Sequence, residues 1–208
     1  MGTRRRSPHE SRSNVTTHTL ESLKPRLRRA GDLADLLLEE HATFLDGDTW
    51  VHEGDLVLEG ELEVKRGALL ILGNLRVSDA VGTDESGKLV VTGRLDARHL
   101  YLEGDLRVHK DVALRGALFG FYEAGNSQVD GRTTAKLGLI GDHEWECDDE
   151  HYEVSGRFSN FVELEEGDPD AIRQLMGDKE FAILAPMLGL SDEDTECDGY
   201  GMKLFFRV

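Results

Sequence analysis

A glycine-led strand motif returns at a nearly fixed interval through the middle of this chain: Gly54-Asp-Leu-Val-Leu58, Gly73-Asn-Leu-Arg-Val77 and Gly93-Arg-Leu-Asp-Ala97, in steps of 19 and then 20. From Gly93 to Gly131 the distance is 38, which leaves room for one intervening copy with Val112 in the glycine's place. A second register, Leu62, Val81, Leu100 and Phe119, advances by 19 at every step. Self-similarity at this interval constrains the fold before any single residue does, because each unit is too small to bury an apolar face alone and must stack on its neighbours.

Each interval holds two or three smaller units, such as Gly60-Glu-Leu-Glu-Val64, Gly87-Lys-Leu-Val-Val91 and Gly104-Asp-Leu-Arg-Val108. Apolar and charged residues alternate within them, the pattern of a short strand with one buried face. The two-residue turns that would make hairpins are missing. A winding chain answers both facts, with Leu56, Leu75, Leu95 and Leu114 as one interior ladder and Leu62, Val81, Leu100 and Phe119 as another. Leu69, Leu89 and Leu106, spaced 20 and 17, make a less regular third side. At about 4.8 Å per coil, five coils from Asp48 to Ile140 make a rod on the order of 24 Å long. An antiparallel sandwich of short strands would show similar alternation. A left-handed hexapeptide coil would keep a stricter period of roughly 18 residues, which this chain does not.

The run from Gly54 to Gly131, with its Gly-x-Leu-x-Val units, resembles the bactofilins, the polymer-forming cytoskeletal β-solenoid proteins of bacteria. The resemblance covers somewhat under half of the chain. It implies a non-enzymatic protein, and in that family polymers grow end to end through exposed terminal coils. The expected fold is therefore mainly β: a right-handed, three-sided parallel β-solenoid of about five coils, with an N-terminal helical lid and a small α+β C-terminal cap.

The segments are read as a disordered basic tail over residues 1–18, a helical N-terminal cap over 19–47, the solenoid over 48–140 and an acidic C-terminal cap over 141–208. Residues 1–18 are rich in Arg, Ser and Thr with little apolar mass. Leu27, Leu33, Leu36, Leu37 and Leu38 suggest helical turns between Pro25 and about His41, with Asp32 as a cap for the second segment. After Ile140 the glycine-led repeat ends. Phe158 to Leu164 reads as strand, and Asp168 to Met176 as a helix with Asp168 at its cap and Pro169 at its first position. Phe181 to Leu188 reads as a second helix and Met202 to Val208 as a closing strand. With both ends of the rod covered, an open polymer is disfavoured and a homodimer stays open.

The net charge of -17 is unevenly spread: residues 1–31 carry eight Lys or Arg against two Glu, which leaves -23 on the remainder. Residues 141–208 alone hold 19 Asp or Glu against five Lys or Arg. Such a charge points to a basic protein partner and away from nucleic acid. Only two cysteines occur, Cys147 and Cys197, a usage that fits reduced thiols in the cytoplasm. The basic start leads into no apolar stretch, and Phe181 to Leu190 is too short to span a bilayer.

The densest chemistry lies in Gly141-Asp-His-Glu-Trp-Glu-Cys-Asp-Asp-Glu-His151. His143, Glu146, Cys147, Asp149 and His151 are all metal-ligand types, but their spacing matches neither His-Glu-x-x-His nor paired Cys-x-x-Cys, so no metal and no cofactor is assigned. As a strand, this stretch puts His143, Trp145 and Cys147 on one face and Glu144, Glu146 and Asp148 on the other. Phosphate-binding glycine loops and the Gly-x-Ser-x-Gly elbow are absent, and the chain reads as no enzyme. An aromatic residue amid carboxylates is the mixture that protein interfaces favour. The candidate partner-binding residues are Phe121, Tyr122, Asp142, His143, Glu144, Trp145 and Glu146. Five of these, Phe121, Tyr122, Asp142, His143 and Glu146, also make the junction look like solitary solenoids that accompany bacterial polymorphic toxins. That likeness implies an immunity-type role in neutralising a basic toxin. The alternative is a bactofilin-like scaffold or filament subunit.

Overall fold

A computed structural model describes residues 15–30, 49–121, 125–159 and 163–190. The chain winds as a parallel β-solenoid of about six turns. Turn one comprises β3 (Thr49–Glu53), β4 (Leu56–Leu58) and β5 (Glu61–Val64), and turn two β6 (Gly67–Leu72), β7 (Leu75–Val77) and β8 (Ala80–Thr83). Turn three is β9 (Gly87–Val91), β10 (Leu95–Ala97) and β11 (His99–Leu102), and turn four β12 (Asp105–Val108), β13 (Val112–Leu114) and β14 (Ala117–Phe121). The fifth and sixth turns are single long strands, β15 (Asn126–Gly141) and β16 (Glu144–Ser159), each bent around all three sides. At about 4.8 Å per turn the rod is about 29 Å long.

Every side is a parallel ladder. On the first, Trp50, Leu69, Leu89, Leu106, Ser127 and Trp145 follow one another from turn to turn. The expected column of Leu69, Leu89 and Leu106 is present, with its uneven spacing taken up at the corners. The other two ladders begin as expected and then differ. Leu56, Leu75 and Leu95 are followed by Val112, not Leu114, and Leu62, Val81 and Leu100 by Leu118, not Phe119. The reason is the shortness of the third turn. Leu89 stacks on Leu106 and Leu95 on Val112, each a step of 17, and Leu100 stacks on Leu118, a step of 18, so a fixed step of 19 overshoots.

The interior is aliphatic through most of its length. Leu62, Leu69, Leu75, Leu89, Leu95, Leu100 and Leu106 are fully buried, and each such side chain contributes about 1.5–3 kcal/mol of apolar burial. On the first side the outward positions Val51, Ala68, Leu70 and Val90 are buried as well, with Ala30 against them. At the corners, polar side chains hold one turn to the next. Asp55 Oδ1 accepts hydrogen bonds from the Asn74 backbone and side-chain nitrogens at 2.8 and 3.0 Å, and Asn74 Oδ1 accepts from the Arg94 backbone at 2.9 Å. The bonds from Asn74 hold the exposed Asp55 carboxyl below the usual carboxylate range.

The parallel pairing does not end at Ile140. Strand β16 stays paired with β15, through one register shift between Val129 and Arg132, as far as Gly141 opposite Phe158, which adds the sixth turn to the expected five. The expected boundary falls early because the interior positions change character there: Ser127, Thr133, Trp145, Cys147, Glu150, Tyr152 and Arg157 occupy columns that are mainly aliphatic in earlier turns. A terminal turn has no further turn to pack against, so its inward side chains face the mouth of the rod and polar groups are tolerated.

At the other end, β1 (Thr17–Thr19) pairs with β5 in parallel and β2 (Arg28–Arg29) with β3 antiparallel. Thr17 and His18 thus belong to the sheet, not to a disordered tail. Strand β1 crosses so close to Gly60, whose φ is +105°, that a Cβ there would lie 2.0 Å from the Thr16 carbonyl oxygen. Between the two strands, α1 (Leu20–Leu23) is one helical turn with Thr19 as its cap, followed by a 3-10 turn over Lys24–Arg26. Leu20 and Leu23 close the interior. The described part of the lid thus begins ahead of the leucine pattern, and Leu27 to Arg29, expected within helical turns, are extended. Asp32 and Leu33 to Leu38 lie outside the described residues.

The C-terminal elements are β17 (Glu163–Gly167), antiparallel to β16, then α2 (Pro169–Met176) and α3 (Asp178–Leu184), with a 3-10 turn over Ala185–Leu188. Asp168 caps α2 by accepting from the Asp170 backbone at 3.0 Å, and Pro169 opens the helix, as expected. The expected strand at Met202 to Val208 lies outside the described residues. The helices do not cover the end of the rod. Ile172, Met176, Leu184 and Leu188 dock on its third side, against Tyr101, Phe119, Phe121, Leu139 and Phe158. Phe119 thus faces outward, stacked 5.5 Å from Tyr101 under the helices, and does not fill the interior.

Candidate functional site

Because the helices take the third side, the mouth of the sixth turn and the first part of β16 form a surface of their own. From Glu144 to Ser155 the outer backbone edge of β16 has no strand partner among the described residues. Its side chains alternate as far as Asp148: Glu144, Glu146 and Asp148 are exposed, while Trp145 and Cys147 are half-buried against the core. This is the two-faced strand expected from the sequence, with Trp145 packed inward.

The candidate residues separate into two groups. Glu144 and Glu146 reach solvent, with Glu144 accepting a 2.7 Å hydrogen bond from Asn126 Nδ2. Asp142 turns the corner into β16 with a φ of +45°, and is half-buried. Phe121 is 7% exposed, its ring 5.9 Å from Phe119 and 6.4 Å from Phe158, so it belongs to the helix-docking surface. Tyr122 lies outside the described residues.

His143 is also 7% exposed. Its Nε2 lies 2.7 Å from Ser127 Oγ. The ring fits because Gly125 has no Cβ: one there would sit 2.4 Å from ring atoms of His143. Burial pushes the His143 pKa down to about 4, against the opposing pull of the Asp105 charge, a hydrogen bond with the Phe121 backbone and the Glu144 charge. His143 and Phe121 are therefore both buried in this structure. A neutral buried imidazole fixes the corner from which Glu144 and Glu146 project.

The structure adds residues that the spacing does not mark. Glu150 and Arg157 form an ion pair at 3.3 Å across interior columns of the last turn. Tyr152 packs against the core, and burial followed by the nearby Glu150 charge pushes its phenol up. Asp149 accepts from Arg132 Nε at 2.8 Å and pairs with His151, and the Arg132 bond foremost holds its carboxyl below the ordinary range. The signal for all of them is present in the sequence, as a step of 17 from Thr133 to Glu150 and of 18 from Val129 to Cys147. It is hidden because the letters at those positions are not aliphatic.

The metal-ligand types in this stretch do not converge. Among the described residues no three His, Cys, Asp or Glu side chains are grouped to hold an ion. The free Cys147 thiol points to the Gly131 carbonyl and to Thr133 Oγ1, each at 3.2 Å. Also among the described residues, no helix is long and apolar enough to cross a membrane.

The fold and this end surface define a β-solenoid protein with a closed first turn and a carboxylate-edged last one. Comparison with protein-family models, curated proteins and solved structures gave no match to any family, protein or structure. The likeness to bactofilins thus rests on the repeat.

Proposed function

We propose that this chain is a non-enzymatic binding protein in which the solenoid is a rigid support and the end of its last turn docks onto a basic protein. Glu144, Glu146 and Asp148 supply the charge, and Trp145 and Tyr152 supply aromatic contact area behind it. The observation that carries this reading is the row of exposed carboxylates on a strand edge that has no partner among the described residues. Such a row raises the encounter rate with a basic partner and rejects acidic ones. In its finer form the partner is a bacterial toxin domain and the chain an immunity-type protein of the cytoplasm. The bactofilin-like filament reading is less favoured. Stacking rods end to end needs open turns, whereas β1, β2, Leu20 and Leu23 occupy the first turn, and carboxylates on an edge oppose pairing with another strand.

The test is capture of a partner from extract of the source cells by the intact chain and by a Glu144→Lys, Glu146→Lys, Asp148→Lys variant. The intact chain is expected to retain a basic protein that elutes as salt rises, and the reversed variant to lose it. Equal capture by both would overturn the reading.

A further inference from the structure

A surface of opposite sign runs along the second side of the rod. A groove of about 480 Å³ crosses turns one to four there, over Val57 and Ala113. Arg76 comes from β7, Arg94 from the corner before β10 and Arg115 from the corner after β13. Successive turns thus offer one cation each, about 4.8 Å apart along the axis. The groove's carboxylates are Glu59 and Asp96. Arg94 Nε lies 3.0 Å from Asp96 and Arg76 lies 4.0 Å from it, so one carboxylate serves two guanidinium groups. Arg115 donates to the Ser78 carbonyl at 2.6 Å, a contact that leaves its charge uncompensated there. The Arg76 side chain is 71% exposed.

Arg115 also lines a second cavity, a cleft of about 240 Å³ between this corner and α2. The exposed Arg98 and Lys136 border it, and Ala117, Leu137, Leu175 and Met176 give it an apolar lining. Arg98 also faces Asp79, outside the cleft, at 3.8 Å. With Arg98 set against Asp79, the linings of the two cavities leave Arg76, Arg94, Arg115 and Lys136 against Glu59 and Asp96, a local balance of +2, on a chain whose net charge is -17.

The geometry points to a binding site for an extended acidic peptide segment of a partner protein, with an apolar side chain anchored in the cleft beside Met176 and carboxylates laid along Arg115, Arg94 and Arg76. Alternate side chains of an extended peptide repeat every ~6.6 Å, longer than the ~4.8 Å axial step, and the sideways offset of Arg94, which precedes Leu95, from Arg76 and Arg115, which follow Leu75 and Leu114, widens the spacing beyond that step. Guanidinium groups bind carboxylates with paired hydrogen bonds. Nucleic acid fits less well. Among the described residues no Phe, Tyr or Trp ring lines either cavity to stack a base, and a long phosphate backbone would run on to the acidic remainder of the chain. The site is separate from the edge of β16 and does not depend on the reading given for it.

The test is fluorescence anisotropy of the whole protein with a labelled peptide of four glutamates ending in a leucine with a free carboxylate. An oligothymidylate of equal charge is measured alongside. The intact protein is expected to bind the peptide and to prefer it over the oligonucleotide. Arg94→Glu with Arg115→Glu should weaken the peptide by about tenfold or more through lost charge-assisted contacts. Val57→Trp, a change at a site 60% exposed, should block the groove with all cations in place. Peptide binding unchanged in both variants, with circular dichroism melting curves like that of the parent, would overturn the proposal. So would equal or tighter binding of the oligonucleotide through the same arginines.

Discussion

The buried imidazole of His143 makes the stability of the last turn depend on pH in a way that can be worked out. Its pKa is about 4 in the folded chain against 6.5 for a free histidine. Below 6.5 the unfolded chain binds a proton that the folded chain refuses, so lowering the pH favours unfolding. The contribution is fully present above 6.5 and is lost progressively as the pH falls to about 4. At about 1.4 kcal/mol per pH unit, the interval is worth about 3 kcal/mol. The perturbation is His143→Gln, which keeps a polar group near Ser127 without a titrating ring. Urea unfolding of parent and variant at neutral pH and near pH 4.5 gives the difference between them, in which the carboxylates common to both cancel. The parent's advantage over the variant should shrink by about 2–3 kcal/mol over that range. Parallel pH profiles for the two proteins would refute the assignment of His143 as a buried neutral group.

Three further changes test the packing. Phe119→Ala removes a fully buried ring between Tyr101 and the C-terminal helices, so chemical denaturation should show a loss of about 3–5 kcal/mol. Limited proteolysis should then reach α2 and α3 sooner than in Leu118→Ala, which empties the interior instead. Cysteines at Val57 and Arg76, which are paired across turns, should oxidise readily with Cys147 and Cys197 replaced by serine. The closed loop should raise stability by about 3 kcal/mol. A double-mutant cycle on Glu150 and Arg157, both partly exposed, should give a coupling of about 0.5–1 kcal/mol in thermal unfolding, as expected for a pair open to solvent.

How far the fold can be read follows from what occupies the interior. Where the columns are leucine and valine, from Leu56 to Leu106, the alternation and the glycine-led corners mark strands and pairing alike. Register is lost at the third turn. Its shortening, felt at Leu106 and Val112, leaves the local alternation intact and changes only which residue stacks on which. That single slip moves Phe119 from the outer surface to the expected interior. The extent of the rod is misjudged for a different reason: Trp145, Glu150, Tyr152 and Arg157 continue the columns without the apolar letters that identify them.

The candidate site was legible in part. The alternation of Glu144, Trp145, Glu146 and Cys147 was enough to assign faces. The withdrawal of His143 into the corner was not, since it depends on Ser127 and Gly125 from the preceding turn. The arginine groove on the second side was out of reach because Arg76, Arg94 and Arg115 are each separated in sequence by about a full turn of the coil. They become neighbours only through the winding of the chain.

Under the proposed function the rod, closed at its first turn and edged with carboxylates at its last, stays a discrete species. Sedimentation velocity of the whole chain at low and high protein concentration, in dilute and concentrated salt, tests this most directly. A single small species whose sedimentation coefficient changes little with concentration is predicted, with no growth when salt screens the carboxylates. Filaments that lengthen with concentration and persist in high salt would contradict it.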